Sequence, residues 1–587
     1  MTNPRGTSSP FLPLTADEMH SRGWDQVDVI LVSGDAYIDH PSFGTAILAR
    51  MAEAQGLRVA VLAQPNWRDD LRDFKKLGAP RLFFGVTAGS MDSMVNHYTA
   101  LRRKRSDDAY TPGGRAGYRP DYASVVYTQI LKKLYPDIPV VLGGVEASMR
   151  RFTHYDYWQD KVKPSVLAES GADLLLYGMA EQPWKMLLEL TKKGVPLHSL
   201  HNLPQTAFLR DVSENIPPLK NTPDHQLPSH EDCLHSKKTF ADAFRTIEEA
   251  SNSLEPPRLW QDCGSQRLIV NPPLAPADEK TADQTWELPF TRLPHPKYKK
   301  KPPIPAYEMI KFSVNIHRGC FGGCSFCAIN MHQGKFVQSR SEKSILNELE
   351  VIAKMPGFKG HISDLGGPSA NMYKMEGIDK ELCKRCKRPS CIFPNTCKNL
   401  NFDHNPLLQL YEKAGKISGI KKITIGSGVR YDMLLGKTPQ QNKQYGLQPY
   451  IQKLLRHHVS GRLKVAPEHT SPQVLKLMRK PAFTGFEEFH KVFRNVCQKE
   501  SLPLQLVPYF ISGHPGTLEK DMKDLSVLVN KLGYRPEQVQ EFTPTPMTLA
   551  TTMYYTGLDP YTGKNISVVR GDKEKRRQKE YFFRNKK

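Results

Sequence analysis

The sequence lacks what membrane and secreted chains need. No apolar run reaches about 18 residues, the length a membrane-crossing helix requires. The stretch Met1 to Pro10 has none of the apolar core of a signal peptide. Cysteine is scarce and unevenly spent: there are 10 in 587 residues, and seven of them fall between Cys320 and Cys397. Such bunching argues against a disulfide framework and suits metal binding in a reducing compartment, so a cytoplasmic location is expected. Acidic residues are also in deficit, 60 against 82 Lys and Arg, leaving a formal charge of +22. That excess attracts polyanions such as RNA through counterion release, although outside the C-terminal tail it is spread out, as on a solvated basic surface. The remaining composition, 39% hydrophobic and 24% charged, is that of a globular protein long enough for two or more domains.

The densest chemistry lies in Cys320-Phe-Gly-Gly-Cys324-Ser-Phe-Cys327. Three thiolates at C-x3-C-x2-C spacing fold one loop around one centre and select zinc, Cu(I) or an iron–sulfur cluster over hard cations. They leave a fourth position open, whereas structural zinc is normally closed by four ligands. The strict alternation in Ile310-Lys-Phe312-Ser-Val314-Asn-Ile316 predicts a β-strand leading into the loop, with Gly319 at the turn. The cysteines then lie at the carboxyl end of a strand, where α/β barrels keep their active sites. A zinc site completed by a distant fourth ligand, or unligated thiols, is the plainer alternative.

Residues 1 to about 205 alternate short apolar runs with helical stretches. The runs are Asp28–Gly34, Arg58–Leu62, Arg81–Val86, Pro139–Leu142 and Asp173–Tyr177, with a helix around Ala46 to Gln55. This pattern predicts a doubly wound parallel sheet with ligands beyond its carboxyl ends, where Ser33-Gly-Asp35, Gly85–Gly89 and Gly143–Glu146 fall. The Gly/Tyr/Arg-rich stretch Thr111 to Pro120 is a candidate lid or substrate loop. Residues 206–305 are proline-rich and polar apart from one helix near Thr239 to Ser251, and are expected to be an interdomain connector. Its Cys233 and Cys263 have no metal-ligand spacing and are taken as structural.

From about 306 to 550 the strand–helix alternation resumes. Strands are expected at His361–Leu365, Lys422–Ile425, Leu463–Ala466, Leu504–Ile511 and Gln538–Phe542. A helix after Ser341 should bury Ile345, Leu349 and Ile352, and another should start at Pro472 behind Ser471. Six repeats predict a (β/α)6 partial barrel. An insertion carries Cys383, Cys386, Cys391 and Cys397, whose C-x2-C-x4-C-x5-C spacing marks a second metal site, zinc or an auxiliary iron–sulfur cluster. The segment 551–587 is a basic tail that either grips RNA or is a frayed or docked terminus.

C-x3-C-x-aromatic-C after a first strand resembles the signature of radical SAM enzymes. The resemblance implies that Cys320, Cys324 and Cys327 hold a [4Fe–4S] cluster whose open iron is chelated by S-adenosylmethionine. Gly366-Gly367-Pro368 stands where that family has GGE, so contacts to the methionyl amine would come from backbone carbonyls or from Ser369. By the same resemblance Arg430 pairs with the methionyl carboxylate, Glu468 with the ribose hydroxyls, and Phe326 and Ile511 flank the adenine. Val465–Arg479 and Ile511–Thr517 are similar to segments of methylthiotransferases. The order of Gly-Cys-Phe-Gly-Gly-Cys, Ser363-Asp-Leu-Gly-Gly-Pro, the four-cysteine insertion and Val465-Ala-Pro-Glu-His resembles the YgiQ-type radical SAM proteins, a family without an assigned reaction. It implies a reducing partner such as flavodoxin or ferredoxin, and a substrate such as RNA or protein that receives a methyl group or sulfur. The first region resembles a cobalamin-binding domain, but Asp39-His40-Pro-Ser-Phe-Gly44 lacks the D-x-H-x-x-G fingerprint. Cobalamin is therefore the less favoured cofactor, and His40 reads as a surface-loop histidine. The competing function is a non-catalytic zinc- and RNA-binding protein on a degenerate barrel.

Overall fold

A computed structural model describes residues 9–534 and 539–582. The end of the basic tail, 583–587, and Gln538 of the sixth expected strand lie outside these. The chain divides into two compact units. The first comprises residues 1–231, 257–274 and 284–311; the second comprises 232–256, 275–283 and 312–587.

The first unit is built on strands β1 (Val29–Ser33), β2 (Val59–Ala63), β3 (Phe83–Thr87), β4 (Val140–Leu142) and β5 (Leu174–Leu176). They run parallel in the order β2-β1-β3-β4-β5. This is a doubly wound arrangement whose switch point lies between β1 and β3. Every residue of β1, β2, β4 and β5 is buried, which explains their unbroken apolar runs. Helices α1 (Gly44–Ala54), α2 (Ala123–Leu134) and α3 (Glu181–Lys192) are among those that cross between strands.

The expected connector is not a linker throughout. Strands β6 (Thr206–Asp211), β7 (Asp224–Gln226), β8 (Arg258–Cys263) and β9 (Gln266–Val270) extend the sheet past β5 in the order β6-β9-β8-β7. Ala207, Phe208, Leu268 and Ile269 are buried there. Pro217-Pro218 and Pro256-Pro257 fall between the strands and Pro272-Pro273 just after the last of them, where no ladder N–H is needed. The connector's helix, α4 (Lys237–Ser251), belongs to the second unit.

In the second unit the parallel strands are β10 (Ser313–Asn315), β11 (His361–Ile362), β12 (Asp364–Gly366), β13 (Lys422–Ile423), β14 (Arg462–Glu468), β15 (Gln505–Ser512) and β16 (Val539–Glu541). β10 pairs with β12, β11 with β13, and β14 with β15 and β16 in turn. β11 and β12 are two halves of one expected strand, so six strand positions alternate with helices, as in a partial barrel. The first strand is shorter than its alternation suggested: Pro305 opens a helical turn, Pro305–Ile310, and extended pairing begins only at Ser313. Helix α5 (Glu342–Ala353) buries Ile345, Leu349 and Ile352, and the Ser341 hydroxyl accepts from Ser344 N. Helix α6 (Asn405–Ala414) follows the four-cysteine insertion, and α7 (Pro472–Met478) follows β14. The described part of the tail is docked rather than frayed: residues Asp572–Glu580 are helical, and Gln578 Oε1 accepts from Gly513 N. No helix among the described residues is long and apolar enough to cross a membrane.

Candidate metal and cofactor site

The cysteine loop follows β10 and is shaped by glycines that tolerate no side chain. Gly319 has φ +83°, and a Cβ there would overlap Phe336 O. Gly323 has φ +61°, and its Cβ would overlap Pro389 O in the four-cysteine insertion. The two cysteine-bearing segments are bonded directly: Cys391 N donates to Phe321 O at 3.0 Å, and the Ser390 hydroxyl donates to the same carbonyl at 3.3 Å. Within the loop, Cys327 N donates to Cys324 O at 3.1 Å. Ser325 faces inward, its Oγ 3.2 Å from His514 Nε2. Burial first, then Cys324 and Cys320, push the Cys327 thiol up to about 12. Three soft, crowded, mutually repelling sulfurs suit a metal that takes the protons' place.

The following strand ends supply the surroundings. Ser369, beyond β12, places Oγ 3.5 Å from Cys320 Sγ. Gly366 lies in β12, and Gly367 and Pro368 lie just beyond it. A Cβ on Gly367 would strike the ring of His317, so this glycine lets a fully buried histidine pack beneath the strand end. Burial lowers His317 to about 4 and keeps it neutral. Glu468 ends β14 at φ +66° and is buried, and burial raises its carboxyl. Lys480 Nζ stands 3.7 Å from it. Phe326 is half-buried with its ring 6.0 Å from that of His514. Ile511 is buried in β15, one residue after the partner of Glu468.

Arg430 is partly engaged within the chain. It lies over the cysteine loop, its Nη1 3.5 Å from Cys324 Sγ, but Nε and Nη2 are held by Asp432 at 2.9 and 2.6 Å. Two of its donor edges are therefore already paired with a carboxylate of the chain, and only Nη1 faces the cysteines. Asp432, two residues on, was not singled out in the sequence, nor was Asn371. The Asn371 side chain holds the Arg430 backbone from both sides: Oδ1 accepts from Arg430 N at 2.8 Å and Nδ2 donates to Arg430 O at 3.2 Å. Asn371 Nδ2 also meets His404 Nε2 at 3.1 Å, while His404 Nδ1–H donates to Phe402 O at 2.9 Å. No spacing rule links these residues; only the fold brings them together.

Against the insertion lies Lys335, almost fully buried and with no carboxylate within ion-pair distance among the described residues. Its ammonium donates to Arg388 O at 2.9 Å and stands 3.8 Å from Cys386 Sγ. Asn399 Nδ2 lies 3.4 Å from Cys383 Sγ. Burial pushes Cys391 up to about 11, and Cys397, Cys386 and Cys383 add to this against the pull of Lys335. The four cysteines thus share one neighbourhood around a buried cation. Among the described residues, no three His, Cys, Asp or Glu side chains converge as a single-ion site.

In the first unit the switch point is taken up by protein. Arg119, fully buried beyond β3, donates to Asp35 at 2.9 Å, to Asp108 at 3.2 Å and to Ala88 O at 2.7 Å. A Cβ on Gly34 would overlap Ala88 O and crowd Arg119. His40 is not on the surface: it is wholly buried, its Nε2 has no partner, and burial first and Arg292 next hold it well below the ordinary range. A short polar turn reads as exposed, but the ring of Phe43 packs edge-on against it. These residues do not fit cobalamin ligation by histidine.

Residues 11–313 match the radical SAM N-terminal family and residues 537–586 a domain of unknown function. The chain is 56% identical over 587 residues to a UPF0313 protein of Bacteroides thetaiotaomicron, covering 98% of this chain and 94% of that one. A UPF0313 protein of Pseudomonas putida is 43% identical, with 98% and 81% covered. Among solved structures, the radical S-adenosylmethionine methyltransferase TsrM of Kitasatospora setae aligns with a TM-score of 0.45 at 14% identity, covering 89% of this chain and 75% of that one.

Proposed function

The chain belongs to the UPF0313 family of radical SAM proteins, and from that premise we propose that it cleaves S-adenosylmethionine reductively at Cys320, Cys324 and Cys327. When bound there, a [4Fe–4S] cluster with an open iron supplies one electron to the sulfonium, which yields methionine and a 5′-deoxyadenosyl radical. The observation that carries the reading is convergence. A three-cysteine loop closes the first parallel strand, and Ser369, Arg430 and Glu468 from later strand ends are drawn around it.

The chain's own part is to bind, orient and shield. Ser369 and the backbone carbonyls of Gly366, Gly367 and Pro368 receive the methionyl amine. Arg430, aimed by Asp432 and Asn371, presents Nη1 toward the cysteine loop and the methionyl carboxylate. Glu468, held by Lys480, takes the ribose hydroxyls, and Phe326 and Ile511 pack against the adenine. His514 accepts from Ser325 and keeps the loop closed against water. Cys383, Cys386, Cys391 and Cys397 form a second metal centre, zinc or iron–sulfur, with Lys335 as its buried counter-charge. The substrate carries an unactivated C–H position that receives a methyl group or sulfur, and the electron comes from a low-potential carrier of the flavodoxin or ferredoxin class. No step runs through cobalamin.

Anaerobically reconstituted protein given dithionite and S-adenosylmethionine should produce 5′-deoxyadenosine, and Cys324→Ala should produce none. Iron-free protein that makes no 5′-deoxyadenosine would overturn this in favour of a non-catalytic zinc- and RNA-binding role.

A further inference from the structure

Two stretches conspicuous in the sequence have no part in the cofactor chemistry: the Gly/Tyr/Arg-rich loop 111–120 and the lysine run Pro296-Lys297-Tyr298-Lys-Lys-Lys301. Both belong to the first unit, and they are tied together, Gly113 N donating to Pro303 O at 2.8 Å. The lysine run is anchored by Tyr298, which is buried and whose hydroxyl accepts from Tyr37 N at 3.1 Å. With the turn that follows β2 they line a cleft of about 500 Å³. It opens beside Ala63 and Gln64, at the carboxyl edge of the parallel strands, where doubly wound sheets take their ligands.

The lining is cationic and aromatic. Arg68, Lys76, Lys297 and Lys301 face it with one carboxylate, Asp73. Asp73 is already engaged, accepting from Lys76 Nζ at 3.0 Å and from Asn66 N at 2.9 Å. Arg68, Lys297 and Lys301 have no carboxylate within ion-pair distance among the described residues. The Arg68 guanidinium lies 4.5 Å over the half-buried ring of Trp67, and Tyr118, 47% exposed, offers a second ring. A larger cavity, about 620 Å³, lies at the amino edge of the same sheet, but there Asp137 and Asp173 offset Arg81 and Arg210. The excess of positive charge belongs to the carboxyl-edge cleft.

Cations without a carboxylate partner beside aromatic rings suit phosphate joined to a nucleobase. The volume is that of a small-ligand site, about 300–1,000 Å³. We propose that this cleft binds a nucleotide unit, its phosphate against Arg68, Lys297 and Lys301 and its base against Trp67 and Tyr118. The unit arrives either as a free nucleotide or within an unpaired RNA strand. This goes beyond the cofactor reading and rests on residues of the first unit alone.

The test is fluorescence anisotropy of the full chain with a labelled single-stranded RNA of roughly ten nucleotides, with AMP and inorganic phosphate as competitors. Lys297→Ala/Lys301→Ala should weaken binding about tenfold or more and lower the salt slope by about 1.4, at roughly 0.7 per phosphate contact on a single strand. Trp67→Ala should weaken it about fivefold or more while leaving the slope unchanged. Lys573→Ala/Arg576→Ala, in the basic C-terminal helix, should leave the cleft's contribution intact. AMP displacing the RNA would make the free nucleotide the ligand, and RNA binding resistant to AMP would make it the strand; either supports the cleft. The proposal is overturned if neither RNA nor AMP binds. It is also overturned if the lysine double variant keeps the parent's affinity and slope, or if only the tail variant loses binding.

Discussion

Arg430 shows how little of a side chain's placement is its own. Its orientation is set by Asp432, its backbone by Asn371, and the direction of the Asn371 amide by neutral His404. Burial lowers His404 to about 4, with the bond to Phe402 O opposing the shift, whereas in an unfolded chain it titrates near about 6.5. Between those values the unfolded chain binds a proton that the folded chain refuses. The stabilisation is therefore complete above about 6.5 and is lost as pH falls toward 4, by at most about 3 kcal/mol. Urea midpoints taken at pH 7.5 and 5 should fall less steeply in His404→Gln than in the parent; parallel slopes would contradict the network. Asp432→Asn should keep the iron of the cysteine loop and slow 5′-deoxyadenosine formation about tenfold or more, because the guanidinium loses its charge-assisted bidentate partner. An unchanged rate would show that Asp432 does not aim it. Cys320, Cys324, Cys327 and the second cysteine set could be singled out in the sequence as candidate ligands because metal-ligand spacing is local. Asp432, Asn371, His404 and Lys335 were not, because each acts across a loop that only the folded chain closes.

At the scale of elements, periodicity was a good guide wherever burial was one-sided or complete. Helix α5 lies over the residues its 3.6-residue pattern marks, and β1 to β5 coincide with their apolar runs. The connector misled because prolines dominate its composition while the residues between them pair into four strands. Helix α4 was visible, but its allegiance was not. Glu248, on α4, receives both terminal nitrogens of Arg479 at 2.7 and 2.9 Å, and Tyr561 donates to it as well. Glu248 and Arg479 are buried beyond the end of α7, and Tyr561 is half-buried against them. Glu248→Ala leaves a guanidinium buried without its partner and should cost about 3–5 kcal/mol, read as a lower denaturation midpoint of the second unit. A cost below about 1 kcal/mol would mean that water reaches Arg479. Gly323→Ala tests the bond between the two cysteine segments. A side chain at φ +61° pressed against Pro389 O should destabilise by at least about 1 kcal/mol and lower the metal bound at both cysteine sets. Full metal content in that variant would separate the two loops.

The whole molecule joins a doubly wound unit, whose carboxyl edge presents free cations, to a partial barrel whose strand ends surround three cysteines. The formal charge of +22 suits a polyanionic substrate, and the cleft in the first unit gives part of that charge a definite place. The radical reading stands only if the barrel holds a cluster. The deciding measurement is therefore iron and acid-labile sulfide per chain in anaerobically reconstituted protein, with Cys324→Ala and Cys386→Ala beside the parent. The account predicts that Cys324→Ala loses about four irons and as many sulfides relative to the parent, while Cys386→Ala keeps that increment and loses only the metal of the second set. A parent without iron, or a Cys324→Ala variant with the parent's iron and sulfide, would contradict it.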